Sequence, residues 1–283
     1  MTPEAILARH ARSFAPAARI LPPADRRRIA RLYALCRTVD DLADTVGGPK
    51  VQARLTRLAH ELRSKNNGDP LAAEACALFD ARPEGLASFA QLVDTVAQDT
   101  GATRIADEAA LEQYCMGVAG TVGVMVCTLF DIRARWHPAA ADLGKAMQLT
   151  NICRDVAEDA QAGRRYLPYT LCPHDAHAIV EGDPDTRTDV AQAVATLLAR
   201  ADTLYASGRA GLPALPLRLR LAVAAAASMY AGIGTELRAR SCDPCAGRVF
   251  VPRWRKLLLA AQGVTAHAAP SRSANAGRHH ATS

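Results

Sequence analysis

Two short acidic stretches carry most of the chemistry visible in this chain: Asp40-Asp41-Leu42-Ala43-Asp44 and Asp155-Val156-Ala157-Glu158-Asp159. Each sets two aspartates four residues apart in a helix-type pattern, and on a helix such residues share one face, about 5–6 Å apart. Like charges held that close repel by a few tenths of a kcal/mol per pair. Two such pairs on separate helices point to a shared task, and holding divalent cations is one that needs them. Oxygen-rich sites of this kind suit Mg²⁺, which keeps several waters and bridges carboxylates to substrate phosphates. The chemistry implied is diphosphate handling between helices.

The elements that must position these acids can be read by angle. At about 100° per residue and with Asp40 at zero, Asp44 falls near about 40°, Arg37 near about 60° and Tyr33 near about 20°. Tyr33, Arg37, Asp40 and Asp44 make one polar stripe, with Leu32, Cys36, Val39 and Ala43 as its apolar flank. Asp41 points about 100° away, so Asp40 and Asp44 are the expected ligands. The plainer alternative is a solvated face on which Arg37 pairs along the helix with Asp40 or Asp41. On the second helix Gln148, Asn151, Asp155 and Asp159 fall within about 80° of one another over three turns. Leu149, Ile152 and Val156 crowd that stripe, so it does not read as ordinary surface; a buried carboxylate needs a partner or a metal. Arg154 and Arg164-Arg165 lie near enough to clamp phosphate oxygens. Between the two helices Gly117, Gly120 and Gly123 cost a helix about 1 kcal/mol each against alanine. Close backbone approach, or alternatively a kink or loop, accounts for them.

The chain has 283 residues, enough for a sizeable core, and only 5% are aromatic. Strand-like runs of β-branched residues are scarce, which predicts an all-α fold. Helical periodicity runs from Ala24 to about Gly263, broken at residues 47–49, 66–70, 81–85, 163, 211–216 and 242–247, with 168–184 an irregular connection. Residues 1–263 are expected to form one helical domain, and 264–283, rich in Ala, Ser and His, a disordered tail. The net charge of +6 and a pI near 9.0 suit an anionic partner. No nucleic-acid module is present and the basic residues are dispersed, so nucleic acid is excluded as the partner. The eight cysteines lie mostly in apolar helical patterns, and no apolar leader follows a charged N-terminus. A reduced, cytoplasmic setting is expected. Cys242 and Cys245 form a lone CxxC, too few ligands for zinc. The longest apolar runs, Val118–Phe130 and Leu221–Ile233, fall short of the ~20 residues that span a bilayer.

In order along the chain stand Ser13-Phe14 with Ile20-Leu21-Pro22, Leu32-Tyr-Ala-Leu-Cys-Arg-Thr-Val-Asp-Asp-Leu-Ala-Asp44, Tyr114-Cys-Met-Gly-Val-Ala-Gly-Thr-Val-Gly123, Ala146-Met-Gln-Leu-Thr-Asn-Ile-Cys-Arg-Asp-Val-Ala-Glu-Asp159, Gly163-Arg-Arg-Tyr-Leu-Pro168 and Arg248-Val-Phe-Val251. Any one of these is a weak signal; the ordered set is specific. From about His10 to Leu259 the chain resembles the squalene/phytoene synthases, the head-to-head branch of the prenyl synthases, and most closely their bacterial phytoene-forming members. The resemblance implies a single-domain, all-α isoprenoid-synthase bundle around a central cavity. It implies a Mg²⁺-dependent prenyltransferase, with Mn²⁺ as a substitute metal, that condenses two geranylgeranyl diphosphates to phytoene through a cyclopropyl diphosphate, without NADPH. It carries Asp40, Asp44, Asn151, Asp155 and Asp159 over as metal and diphosphate contacts. His10, Ser13, Tyr33, Arg37, Gln148 and Arg154 carry over as substrate contacts, and Tyr114 and Tyr230 as cavity aromatics that steer carbocations. The chain departs from the family pattern at Gly232-Ile-Gly-Thr235 and at the small residues Ala15 to Ala18, both expected to widen the cavity.

Rival readings remain at this level. One is a synthase acting on C15 units to give squalene, dehydrosqualene or presqualene diphosphate. Another is a catalytically silent helical assembly factor, which has no reason to keep repelling acids. A ferritin-like di-metal protein lacks its Glu-x-x-His motif here. Arg248, Arg253, Arg255 and Lys256 around Trp254 offer either a peripheral membrane contact or a solvated helix face. Oligomeric state is not legible.

Overall fold

Proline, aspartate and glycine set the helix boundaries. The first half holds α1 (Pro3–His10), α2 (Pro23–Asp41), α3 (Gly48–Ser64), α4 (Pro70–Leu78) and α5 (Pro83–Gln98). Next, α6 (Glu108–Cys115) runs through a π turn at Met116–Gly120 into α7 (Thr121–Leu129). A 3₁₀ turn at Ala134–Trp136 leads into the long α8 (His137–Gln161). The chain ends with α9 (Ala176–Glu181), α10 (Pro184–Gly211), α11 (Leu217–Arg238) and α12 (Arg253–His267). The computed structural model describes residues 1–10 (the His10 side chain excepted), 18–43, 48–66, 68–100 and 104–268, and among them no strand forms.

Proline opens α2, α4, α5 and α10, where its missing N–H would have had no helical partner. The carboxylates of Asp69, Asp107 and Asp183 accept first-turn amides at the starts of α4, α6 and α10. Gly163 follows α8 in the left-handed region, at φ 72°, and stops it where the sequence expects. The connection at 168–184 is less irregular than expected, because it contains α9, capped by Asp175 and ended by Gly182 at φ 65°. Six helical residues are too few for a periodicity to show in sequence. At the other end α12 continues to His267, past residue 263, and residues 269–283 lie outside those described.

Two apolar cores form. One gathers around α8, α10 and α11, with Leu149, Val194, Leu198 and Leu219 fully inside. The other gathers around α2 to α5, with Leu55, Leu58, Phe89 and Leu92 inside. Val126 and Phe130 pack against both, so the two cores are joined along α7. The π turn links α6 and α7 into one helix, Glu108–Leu129, 22 residues long and apolar enough to cross a bilayer by length and composition. Sequence runs alone did not reveal that length. Its partly exposed residues Val118, Ala119, Val122, Gly123 and Val126 line an internal cavity, and its buried ones are core, so it reads as a core helix.

The three glycines of this helix have steric roles. A Cβ on Gly123 would lie 2.1 Å from the Ala140 carbonyl oxygen, and one on Gly144 would lie 2.2 Å from that of Ala119. Backbone meets backbone there, with no flexible side chain to give way. Gly117 makes room for the Thr95 side chain of α5, whose Oγ1 would lie 2.1 Å from an added Cβ. Close approach of neighbouring helices is therefore the reason for Gly117 and Gly123, whereas a Cβ on Gly120 would meet the Met116 side chain of its own helix at 2.5 Å. Gly232, by contrast, does not widen the cavity: its missing Cβ leaves space for Leu259 of α12, whose Cδ1 would otherwise be 2.4 Å away.

Gly123→Val is expected to cost about 1–3 kcal/mol or more by overpacking, lowering the melting temperature by several degrees. Gly68→Ala, whose added Cβ meets only Glu61 at 3.4 Å, should leave it nearly unchanged. Thermal unfolding followed by circular dichroism compares the two.

Candidate active site

A cavity of about 400 Å³ lies along the seam between the two cores. Its wall is almost wholly apolar: Leu32 and Ile29 from α2, Val118, Val122 and Val126 from the helix of the three glycines, Leu143 and Met147 from α8, Val223 and Ala226 from α11. The polar groups on it are Tyr33 and Asp40 of α2, Gln148 of α8 and Tyr230 of α11, with the indole of Trp136 elsewhere on the wall. Asn151, Asp155 and Asp159 continue the Gln148 stripe toward the C-terminal end of α8, over about 16 Å of helix beyond Gln148.

The electrostatic neighbours link these helices. The Tyr33 hydroxyl is pushed up in pKa by burial, and it feels Arg37, Tyr230 and Asp40. Tyr230 is also pushed up by burial and feels Arg154 and Asp155. Both phenols therefore stay neutral, and they stand between the acids of α2 and those of α8. Asp155 receives a two-pronged contact from its neighbour Arg154, Nε to Oδ1 at 2.6 Å and Nη2 to Oδ2 at 2.5 Å. Asn151 Oδ1 is sealed from solvent and accepts no hydrogen bond among the described residues, an acceptor that a cation or donor could satisfy.

Asp159 is the most perturbed acid of the stripe. Burial first, and then the charge of Asp155, hold its pKa up at about 7; Glu158 and Asp99 add to this and Arg164 opposes it. Asp99 caps the end of α5 and accepts two phenolic hydrogen bonds on one oxygen, from Tyr114 at 3.0 Å and from Tyr166 at 2.9 Å. The two rings stack at 5.1 Å. Sequence reading missed Asp99 and Tyr166; each is a lone residue at a helix end or in a loop, with no spacing to mark it. Tyr114, expected on the cavity wall, stands instead in this Asp99 cluster, not among the lining residues.

Other expected contacts take up different places. Arg37 pairs along α2 with Asp41 at 2.5 Å, the plainer alternative raised by the sequence. Arg165 is buried and spends its guanidinium on the carbonyls of His174 (2.6 Å), Leu167 (2.5 Å) and Cys172, stacked over Tyr169, so it clamps its own loop and is not available to a phosphate. Arg164 faces Asp159 electrostatically. Asp44 and Ser13 lie outside the described residues, as does the side chain of His10. Among the described residues no three His, Cys, Asp or Glu side chains close around one point. All eight cysteines are free, and burial raises the thiol of Cys127 to about 11, so it is a thiol at neutral pH.

A profile of the squalene/phytoene synthase family matches residues 7–255. The chain is 34% identical over 278 residues to a phytoene synthase of Rhodobacter capsulatus, covering 95% of this chain and 82% of that one. It is 33% identical over 275 residues to a 15-cis-phytoene synthase of Enterobacter agglomerans, covering 89% and 91%. Among solved structures, a dehydrosqualene synthase superposes with a TM-score of 0.80 at 28% identity, covering 93% of this chain and 94% of that one.

Because the pKa of Asp159 is raised in the folded chain, its stabilising protonated form is fully present below the unfolded carboxylate range and is lost as pH rises through about 7. Without metal, Asp159→Asn is expected to melt higher than the parent at pH 8, with the difference shrinking toward pH 4. Melting curves at several pH values read this; an equal difference at every pH would contradict it.

Proposed function

The chain belongs to the squalene/phytoene synthase family, and from that premise we propose that it is a prenyltransferase of carotenoid biosynthesis that joins two geranylgeranyl diphosphates head to head into phytoene. The observation that carries the reading is an apolar cavity whose wall includes Asp40 of α2 and Gln148 of α8, with Asp155 of α8 close enough to act electrostatically on the wall residue Tyr230. That is the shape for an oily tail with a charged head. The two substrates lose two diphosphates and two protons in giving the C40 triene, with no electrons supplied from outside, so no nicotinamide is needed.

Asp40 and Asp44 of the first acidic stretch, with Asn151, Asp155 and Asp159 of the second, are the residues that would hold Mg²⁺, or Mn²⁺ in its place. The open acceptor on Asn151 and the raised pKa of Asp159 both fit a site awaiting positive charge. Mg²⁺ takes most of its ligands from water and substrate phosphates, so such a site does not require a closed protein cage. A metal held by these residues would supply positive charge against the departing diphosphate, which favours ionisation of the allylic C–O bond. Arg154, held by Asp155 at the same end, and Gln148 on the wall orient the diphosphate. Tyr33 and Tyr230, neutral and half-buried, offer ring faces to a developing carbocation without quenching it. The apolar wall keeps water from the cation, which would otherwise be trapped as an alcohol.

The product is too apolar for water, and the outer face of α12 offers a route toward lipid. Trp254, Leu257 and Leu258 point outward there at 67%, 73% and 50% exposure, beside Phe250 at 65%. Arg253 is exposed next to them, and Arg248 pairs with Glu158 at 2.9 Å. An aromatic and apolar face flanked by arginine suits the anionic inner surface of a membrane, with the enzyme cytoplasmic and peripheral.

The direct test supplies purified protein and Mg²⁺ with C20 and C15 diphosphates separately. A C40 triene from C20 that is indifferent to NADPH is expected; a C30 product alone would overturn the C20 assignment. Asp40→Ala and Asp155→Ala should each lower turnover by about 100-fold or more while unfolding stays cooperative. For the membrane face, a Trp254→Ser/Leu257→Ser variant is expected to lose flotation with anionic liposomes that the parent retains. Absence of flotation for the parent itself would dismiss that face as a lipid contact.

A further inference from the structure

We propose that Trp136 is the stop at the blind end of the cavity and sets how long a prenyl tail the enzyme accepts; this rests on the prenyl-condensing reading above. The lining residues of the cavity run along α8 from Trp136 to Gln148. Its charged end begins at Gln148, and Trp136 lies at the N-terminal end of the same helix, twelve residues back, about 18 Å along the axis. The wall also includes Ile132, Leu212 and Leu215, while on its outer side the partly exposed indole carries the Arg135 guanidinium 5.4 Å from the ring centroid.

The turn that carries the indole is held from both sides. Behind it, Arg82 grips Asp131 with two contacts, Nε to Oδ1 at 3.0 Å and Nη2 to Oδ2 at 3.2 Å. His137 Nε2 lies 3.3 Å from the Ile132 carbonyl oxygen, and the Trp136 amide donates to the Arg133 carbonyl at 2.9 Å. The turn carrying Trp136 is thus tied at both ends. From the other side α10 approaches through Gly211. A Cβ there would lie 2.7 Å from that of Ala139 and 3.9 Å from Cε3 of the indole. The glycine lets the end of α10 seat against the turn, close beside the ring. A rigid apolar stop discriminates by steric cost: even one methylene in such a pocket changes selectivity by about 10- to 200-fold, and an isoprenoid unit is larger.

The test compares turnover of C15, C20 and C25 diphosphates by the parent and by Trp136→Phe, Trp136→Leu and Trp136→Ala. General damage to the fold lowers all three substrates alike, so the ratio is the readout. The C25:C20 ratio is expected to rise as the side chain shrinks, by at least about tenfold in Trp136→Ala. A parent that condenses C20 with a ratio that stays flat across the series would overturn the stop. A parent inactive on every chain length would instead overturn the prenyl-condensing reading. A second readout needs no turnover. The chain has two tryptophans, so Trp254→Phe leaves Trp136 as sole emitter. A C20 thiolodiphosphate should shift its emission, and a C10 analogue should not. Equal shifts from both would also overturn the proposal.

Discussion

The structure turns on the cost of holding like charges half out of water. Asp155 and Asp159 sit one turn apart on α8, and burial together with that neighbour keeps the Asp159 proton on until about neutral pH. Nothing in local helix stability favours such a pair. It persists because the rest of α8 is anchored, with Leu149, Ile152 and Val156 buried on the flank of the stripe. Apolar burial at about 25 cal/mol per Å² easily exceeds a repulsion of a few tenths of a kcal/mol. The acids are therefore held ready for a positive charge by packing that does not depend on it.

The same packing makes the cavity. Two cores meet along α7, and the glycines of α7 and α8 let those helices touch backbone to backbone. The space left between the cores is walled mostly by apolar side chains, with its polar groups confined to a few residues. An enzyme handling reactive carbocations needs little acid–base machinery from its walls. It needs charge where the leaving group departs and no water elsewhere. That division matches the distribution of residue types along the cavity.

Much of this was legible in the sequence because it is periodic. The all-α class, the helices that carry Asp40 and Asp155, the stripe from Gln148 to Asp159 and the stop at Gly163 follow from spacing; Tyr33, Asp40 and Gln148 reach one wall, joined there by Tyr230, which only the family resemblance pointed to. What escaped has no period. Asp99 and Tyr166 come from a helix end and a loop, and only folding brings them to Tyr114. The roles of Arg165 and Gly232 were misjudged because a local string cannot tell an arginine that ties its own loop from one that waits for phosphate. Nor can it tell a glycine that admits Leu259 from one that enlarges a cavity. The continuity of Glu108–Leu129 was hidden by a polar first turn and by glycines that read as breakers.

The central claim is that one diphosphate is gripped between α2 and α8 with its tail in the seam. Anomalous diffraction from crystals grown with Mn²⁺ and a C20 thiolodiphosphate tests it most directly. The account predicts manganese peaks within about 2.5 Å of carboxylate oxygens of Asp40 and of Asp155 or Asp159, bridged by the diphosphate, with the tail running toward Trp136. Manganese and diphosphate bound elsewhere on the surface, with the seam empty, would contradict it.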